Sequence, residues 1–306
     1  MIRITFLGTA ASRPTVGRNV SSLVVQRMGE SLMFDCGEGT QRQMMRFGTG
    51  FALSDIFFTH MHADHFLGVI GLLRTMGLQG RDAAMRLWTP RGTEAILESA
   101  VHLGVERVPF DVSIHALRGG QKVKRDDYDV VAFRTAHGGP SLGFALVEHE
   151  RLGRFHPDRA RELGVPEGPL FGRLHRGEAV EVGGRTITPE DVVGPARPGR
   201  RVVYTGDTRP SEETVKLARD ADLLIHDATF AEEEAERARE TGHSTAREAA
   251  DVAREAGVRR LVMTHVSPRY ADDPYVLERE ARRVFRSAVV AFDGMEVDVP
   301  YRDDDE

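Results

Sequence analysis

Lysine is almost missing from this 306-residue chain: Lys122, Lys124 and Lys216 are the only ones, so 38 of its 41 basic residues are arginine. Arginine suits bidentate phosphate contacts, although arginine-rich codon usage gives the same balance. Positive charge is not in excess, since 47 acidic residues leave a net charge of −6. The chain as a whole therefore does not advertise nucleic-acid binding, and any such role must rest on local placement. A lone cysteine, Cys36, excludes an internal disulfide and fits a reducing compartment. No apolar run approaches the roughly 20 residues that cross a bilayer. The apolar part of the N-terminal MIRITFLGTAASR is too short for a signal peptide and reads as a first strand. A cytoplasmic protein without a membrane partner is expected. Internal repeats are lacking too, and the only low-complexity tract is the acidic end, Asp303 to Glu306, expected to fray.

The remaining composition, 41% hydrophobic and 29% charged, supports a sizeable core. Alternating apolar positions predict strands at Ile2–Leu7, Ser22–Gln26 and Ser31–Phe34, the last two joined by a glycine-containing turn. Helical spacing follows at Thr40–Phe47, Phe66–Met76 and Gly92–Val101, with an apolar run at Ile56–Phe58. Val112 to Val147 is strand-rich. Strands at Val202–Thr205, Leu223–Ile225 and Leu261–Met263 then alternate with helices at Glu212–Arg219, Ser244–Ala256 and Pro274–Phe285. Interleaving in both halves predicts an α/β fold of stacked sheets with helices on the outer faces. Residues 151–200 differ: glycine and proline are frequent, no period is sustained, and nine arginines face seven acidic residues. The expectation is one domain over 1–306 with 151–200 as an inserted, flexible arm.

Residues 59–65 read THMHADH. Imidazole and carboxylate are ligands of zinc and similar cations, and the cysteine count rules out a thiolate site. His60 and His62, two apart at a strand end, can share a face. Asp64 and His65 fall where the chain turns helical, displaced from the first pair, which suits two adjacent metals better than one. Asp64 alone could be a helix N-cap, but that does not account for the cluster. His137, Asp207 and His265 each follow a predicted strand and would arrive at the same kind of position.

The pattern HxHxDH with a later histidine, a GDT aspartate and a final TH histidine resembles the metallo-β-lactamase superfamily. The run FLGTAAS, RNVSSLVV, FDCGEGTQRQMMR, GPLFGRL, VVYTGDTRP, LLIHDATF, GHSTA and THVSPRY narrows the resemblance to the ribonuclease Z family and covers nearly the whole chain. The resemblance implies an αββα sandwich of two stacked mixed sheets. It implies two Zn²⁺ per subunit, with Mn²⁺ as the other candidate: His60, His62 and His137 on one, Asp64, His65 and His265 on the second, Asp207 bridging. It implies an endoribonuclease that cuts the 3′ trailer from precursor tRNA, leaving a 3′-hydroxyl on the tRNA and a 5′-phosphate on the trailer. A hydroxide bridging metals roughly 3.5–4 Å apart would be the nucleophile, Asp64 the general base and His243 the proton donor to the leaving oxygen. From its residues alone, His243 could equally precede a helix capped by Ser244. Asp35 in FDCGEGT would support the ligands by hydrogen bonding.

Two positions depart from the family pattern. HDAT stands for the usual HEAT, so Asp227 offers a carboxylate one methylene shorter for His243. The PxKxRN loop associated with sensing a CCA end has Val16 for its lysine, ahead of Arg18 and Asn19, which leaves the handling of CCA-ended tRNA open. The arm corresponds to the family's tRNA-gripping exosite. Arg173, Arg176, Arg18, Asn19 and Arg269 are candidate RNA contacts, and a homodimer is implied. Alternatives are a dinuclear phosphodiesterase or arylsulfatase of the same fold acting on small substrates, or a non-catalytic RNA-binding relative.

Overall fold

Side-chain alternation along each strand sends neighbouring residues to opposite faces, and that decides the layering. The computed structural model describes residues 1–105 and 107–302; the acidic end expected to fray lies outside them. One seven-stranded sheet contains β1 (Ile2–Gly8), β2 (Ser22–Arg27), β3 (Glu30–Phe34), β4 (Asp55–Phe57), β5 (Met85–Pro90) and β6 (Val112–Leu117). The second contains β7 (Lys122–Lys124), β8 (Tyr128–Arg134) and β9 (Leu142–Glu148). After a separate hairpin, β10 (Val180–Val182) and β11 (Arg185–Ile187), it continues with β12 (Arg201–Tyr204), β13 (Leu223–Asp227), β14 (Leu261–Thr264) and β15 (Ala288–Val290). The last strand, β16 (Glu296–Val299), returns to the first sheet beside β1. Strand orders are β16-β1-β2-β3-β4-β5-β6 and β15-β14-β13-β12-β9-β8-β7. Both sheets are mixed: β3 to β6 run parallel, as do β12 to β15, with antiparallel pairs elsewhere.

Val24, Met33 and Ile56 point outward into a core with Leu72, Leu73 and Met76 of the helix Gly68–Leu78. Their neighbours Phe34 and Phe57 point inward, where both rings meet Phe144 of β9 at 5.7 and 5.3 Å between centroids. Ala145, next along β9, joins the opposite outer core with the helix Ala246–Ala256. That helix buries Ala246, Ala249, Ala250 and Ala253, a stripe at i, i+3, i+4 and i+7. Its N-terminus carries a capping box in which Thr245 and Glu248 satisfy each other's backbone N–H groups. The arrangement is the expected αββα sandwich.

A second compact unit comprises residues 126–128 and 148–199. The expectation of an arm without regular structure does not hold for its described residues. Helices Pro157–Glu162 and Pro169–His175 and the β10–β11 hairpin enclose a small core of Ala160, Val165, Leu174, Val180, Ile187 and Val192. Each element spans only three to seven residues, too few turns or alternations for a period to emerge. Also absent from the sequence expectation were β5, the helix Ala235–Thr241, β15 and β16.

Candidate metal centre

All the ligand candidates lie on segments that leave strands or begin helices. His60 and His62 follow β4. Asp64 and His65 sit in the short helix Ala63–Phe66, capped by His62 in an extended conformation. His137 follows β8, Asp207 follows β12, and His265 follows β14 directly. Three overlapping donor groups result among the described residues: His60, His62, His137 and Asp207; Asp64, His65 and His265; and Asp207, Asp227, His243 and His265, with atoms within 4.8 Å of one another inside each. The first two face each other across Asp207, while Asp227 of the third is taken up by hydrogen bonds. Asp207 straddles the first two. Its Oδ2 is 3.5 Å from His60 Nε2 and 3.9 Å from His137 Nε2, and its Oδ1 is 3.3 Å from His65 Nε2 and 3.4 Å from His265 Nε2. His60 Nε2 and Asp207 Oδ1 are buried without any hydrogen bond, which is costly unless a cation takes their lone pairs. The donor set fits two divalent ions.

Protons on the far ring nitrogens aim the lone pairs inward. The Thr59 hydroxyl has one proton and donates it to Asp35, at 3.0 and 2.9 Å from the two carboxylate oxygens. It can then only accept from His60 Nδ1, 3.0 Å away, leaving His60 Nε2 as the basic nitrogen. Thr229 repeats the device: it donates to Asp227 Oδ1 at 2.7 Å and accepts from His265 Nδ1 at 2.9 Å. His65 Nδ1 donates to Asp35 Oδ2 at 2.9 Å, and His137 Nδ1 to the Gly242 carbonyl at 2.9 Å. Asp35 also accepts from Tyr204 Oη and Thr59 N, so the expected supporting aspartate anchors four groups. Thr59, Thr229 and Tyr204 were not singled out in the sequence. Their only signal was closeness in sequence, Thr59 next to His60 and Thr229 two residues after Asp227.

Burial pushes the His60 imidazole well below its ordinary range, helped by His65 beside it. His65 is equally buried, but Asp207 and Asp35 outweigh burial and raise it well above that range. A cation there must displace the proton those carboxylates favour. Burial alone would raise Asp207, yet His265, His65 and His60 hold it well below the usual carboxylate range.

Backbone strain concentrates at this centre. Of five described non-glycine residues with positive φ, Asp35 (55°) and His265 (62°) belong to the site, and Ser12 (61°) donates its N–H to Asp64 Oδ2 at 2.7 Å. Gly206 has φ 59°, and a Cβ there would lie 2.6 Å from Thr59 Cγ2, so the GDT turn can press on the His60 strand end only with glycine in that place.

The His243–Asp227 pair forms despite the shorter carboxylate. Asp227 ends β13 and reaches His243 Nδ1 with Oδ2 at 2.9 Å. Thr208 N, Thr229 N and the Thr229 hydroxyl complete its hydrogen bonds, so Asp227 has no oxygen left for a metal. Burial lowers the His243 imidazole, but the Asp227 charge and hydrogen bond outweigh it and lift it to about 9; cations in the neighbouring donor sets would oppose that rise. Arg209 NH1 holds the His243 carbonyl at 2.7 Å. The helix cap is Thr245 rather than Ser244, whose hydroxyl instead donates to the Thr208 carbonyl at 2.6 Å.

The candidate RNA contacts have partners. Arg18 NH1 bonds Thr9 Oγ1 and the Ala291 carbonyl, and Asn19 Nδ2 bonds the Glu38 carbonyl. Arg173 and Arg176 both pair with Glu178, and Arg269 pairs with Glu234. Val16 is fully exposed in its loop.

Comparison with known proteins agrees with this geometry. A family model described as "Beta-lactamase superfamily domain" matches residues 177–266, and one described as "Anti-Pycsar protein Apyc1" matches residues 2–153. A ribonuclease Z of Gemmatimonas aurantiaca is 59% identical over 299 residues, covering 97% of this chain and 95% of its own. One from Haloferax volcanii is 55% identical, covering 99% and 97%. The crystal structure of human tRNase Z, short form, superposes with a TM-score of 0.70 at 28% identity, covering 97% of this chain and 99% of that one. On relatives this similar along nearly the whole length, the chain belongs to the ribonuclease Z family.

Proposed function

We propose that this protein is an endoribonuclease that removes the 3′ trailer of precursor tRNA with two zinc ions bound at the paired donor sets. The observation that carries the reading is the straddling position of Asp207 between three inward-facing histidines on one side and two histidines with Asp64 on the other. When bound, two divalent ions lower the pKa of water to about 7 and offset the charge of a phosphodiester. The chain's own residues then supply orientation and proton transfer. Asp64, fixed through Oδ2 by Ser12 N, accepts the proton of the attacking water. His243, held through Nδ1 by Asp227, delivers a proton from Nε2 to the leaving 3′-oxygen. Manganese would suit the same nitrogen and oxygen donors, with zinc preferred for a histidine-rich set.

The unit containing residues 148–199 is the tRNA-gripping exosite in this reading, its arginines released from Glu178 by phosphate, and the working form is a cytoplasmic homodimer. Among the described residues no helix is long and apolar enough to cross a membrane. The test is cleavage of a trailer-bearing tRNA before and after chelation, alongside Asp64→Ala. Activity should vanish in both cases while the variant keeps its far-UV spectrum. Trailer cleavage by a metal-free sample would sink the proposal.

A further inference from the structure

Three arginines help line a cleft of about 590 Å³: Arg91, Arg118 and Arg134. Chain topology puts them there. Strands β4, β5 and β6 run parallel in register, Phe57 opposite Trp88 and Pro90 opposite Leu117. Their C-terminal ends therefore share one edge of the sheet. His60 and His62 follow β4 at that edge, Arg91 follows β5, and Arg118 follows β6. With strands about 4.8 Å apart, the two arginines sit roughly 5 and 10 Å along the edge from the histidine strand. Arg134 ends β8, three residues before His137, and the loop after His137 forms the cleft wall through Gly139 and Pro140. Leu142 closes the contact by donating its N–H to the Thr59 carbonyl at 2.9 Å.

These guanidinium groups are exposed, and none makes a hydrogen bond or ion pair among the described residues. That separates them from Arg173, Arg176 and Arg269, all of which have carboxylate partners. Glu94 feels the Arg91 charge but spends its carboxylate on Gly92 N, and Glu213 accepts from Arg134 N. Three exposed arginines on one cleft, whose wall is the loop that follows His137, make a track for a polyanion.

We infer that this cleft binds backbone phosphates of the RNA strand flanking the scissile bond. The inference rests on the proposed nuclease function and adds a substrate-positioning role for Arg91, Arg118 and Arg134 in the catalytic unit itself.

The experiment compares wild type with the triple variant Arg91→Gln, Arg118→Gln, Arg134→Gln, on precursor tRNAs with a one-nucleotide and a ten-nucleotide trailer and on the small diester bis(p-nitrophenyl) phosphate. Counterion release at a single strand gives a slope of about −0.7 per phosphate contact. Three lost contacts should flatten the salt dependence of KM by about 2 and raise KM roughly 50-fold at 0.15 M salt, with kcat unchanged. A KM rise confined to the long trailer assigns the track to the trailer; a rise on both substrates assigns it to the tRNA side. Small-diester turnover and melting temperature should match wild type, and a fall in both overturns the inference in favour of a structural role. An active triple variant with wild-type KM and salt slope also overturns it, without touching the nuclease function. A wild-type protein that hydrolyses the small diester but no precursor tRNA overturns the nuclease function instead.

Discussion

Replacing Thr229 by valine removes one hydroxyl and little else in shape, and the structure says what that hydroxyl does. Its proton goes to Asp227 Oδ1 at 2.7 Å, and its oxygen takes the proton on His265 Nδ1 at 2.9 Å. Asp227 keeps Thr229 N, Thr208 N and His243, so its charge stays paired. His265 does not fare as well. The side chain is buried, and an Nδ1–H left without an acceptor costs about 1–3 kcal/mol. The tautomer protonated on Nε2 then competes, and that nitrogen is the one facing Asp64 and Asp207 at 3.3 and 3.4 Å. Loss of such a supporting hydrogen bond typically weakens metal affinity about 10- to 100-fold. Titration of the metal-free protein with zinc against a chelating indicator should therefore show one weakened site, that of Asp64, His65 and His265, and one unchanged. Thr229→Ser should restore it. Two sites of wild-type affinity in Thr229→Val would refute the tautomer argument.

Gly206→Ala combines a left-handed φ with a Cβ 2.6 Å from Thr59 Cγ2. It should cost roughly 1–2 kcal/mol in backbone strain alone and displace Thr59 from Asp35 and His60, seen as a lower melting temperature together with weaker metal binding; a fully active, equally stable variant would contradict the close approach. The Asp55 carboxyl is pushed up by burial, but hydrogen bonds from Arg86, Trp88 and Ser54 and the charge of Arg125 outweigh that and hold it below its ordinary value. A depressed folded pKa stabilises above the unfolded value of about 3.9, and the contribution is lost as pH falls through the folded one. Asp55→Asn should accordingly be less stable than wild type by about 3 kcal/mol near neutrality, with the gap narrowing below about pH 4 in denaturant titrations; a gap independent of pH down to 2 would count against the assignment.

Strands with an apolar alternation and helices with a full apolar stripe could be read from the residues, as the helix Ala246–Ala256 shows, expected from Ser244 and ending at the same residue. Strand β5 could not, because Met85–Pro90 mixes Arg86 and Trp88 into its alternation, and those two owe their partly covered state to Asp55 on the neighbouring strand. The elements of residues 148–199 escaped for a different reason: each is shorter than two periods of its own pattern.

At the centre itself, the choice of candidate ligands was local information. HxHxDH, His137, Asp207 and His265 could be picked out because imidazole and carboxylate at strand ends are chemically conspicuous wherever they fall. Which nitrogen each histidine offers was not. That depends on Thr59 meeting Asp35, Thr229 meeting His265 and Gly242 meeting His137, contacts spanning 24, 36 and 105 residues of chain. The same holds for Asp227, whose shorter side chain reaches His243 because β13 ends close enough to the Arg209-anchored loop to make up the missing methylene. The arginine cleft lay further still from the sequence, since three unremarkable arginines become a site only when parallel strands end at one edge. The residue types set the chemistry available to this chain; proton placement, strain and the convergence of charge were decided by distances that only the folded sheets create.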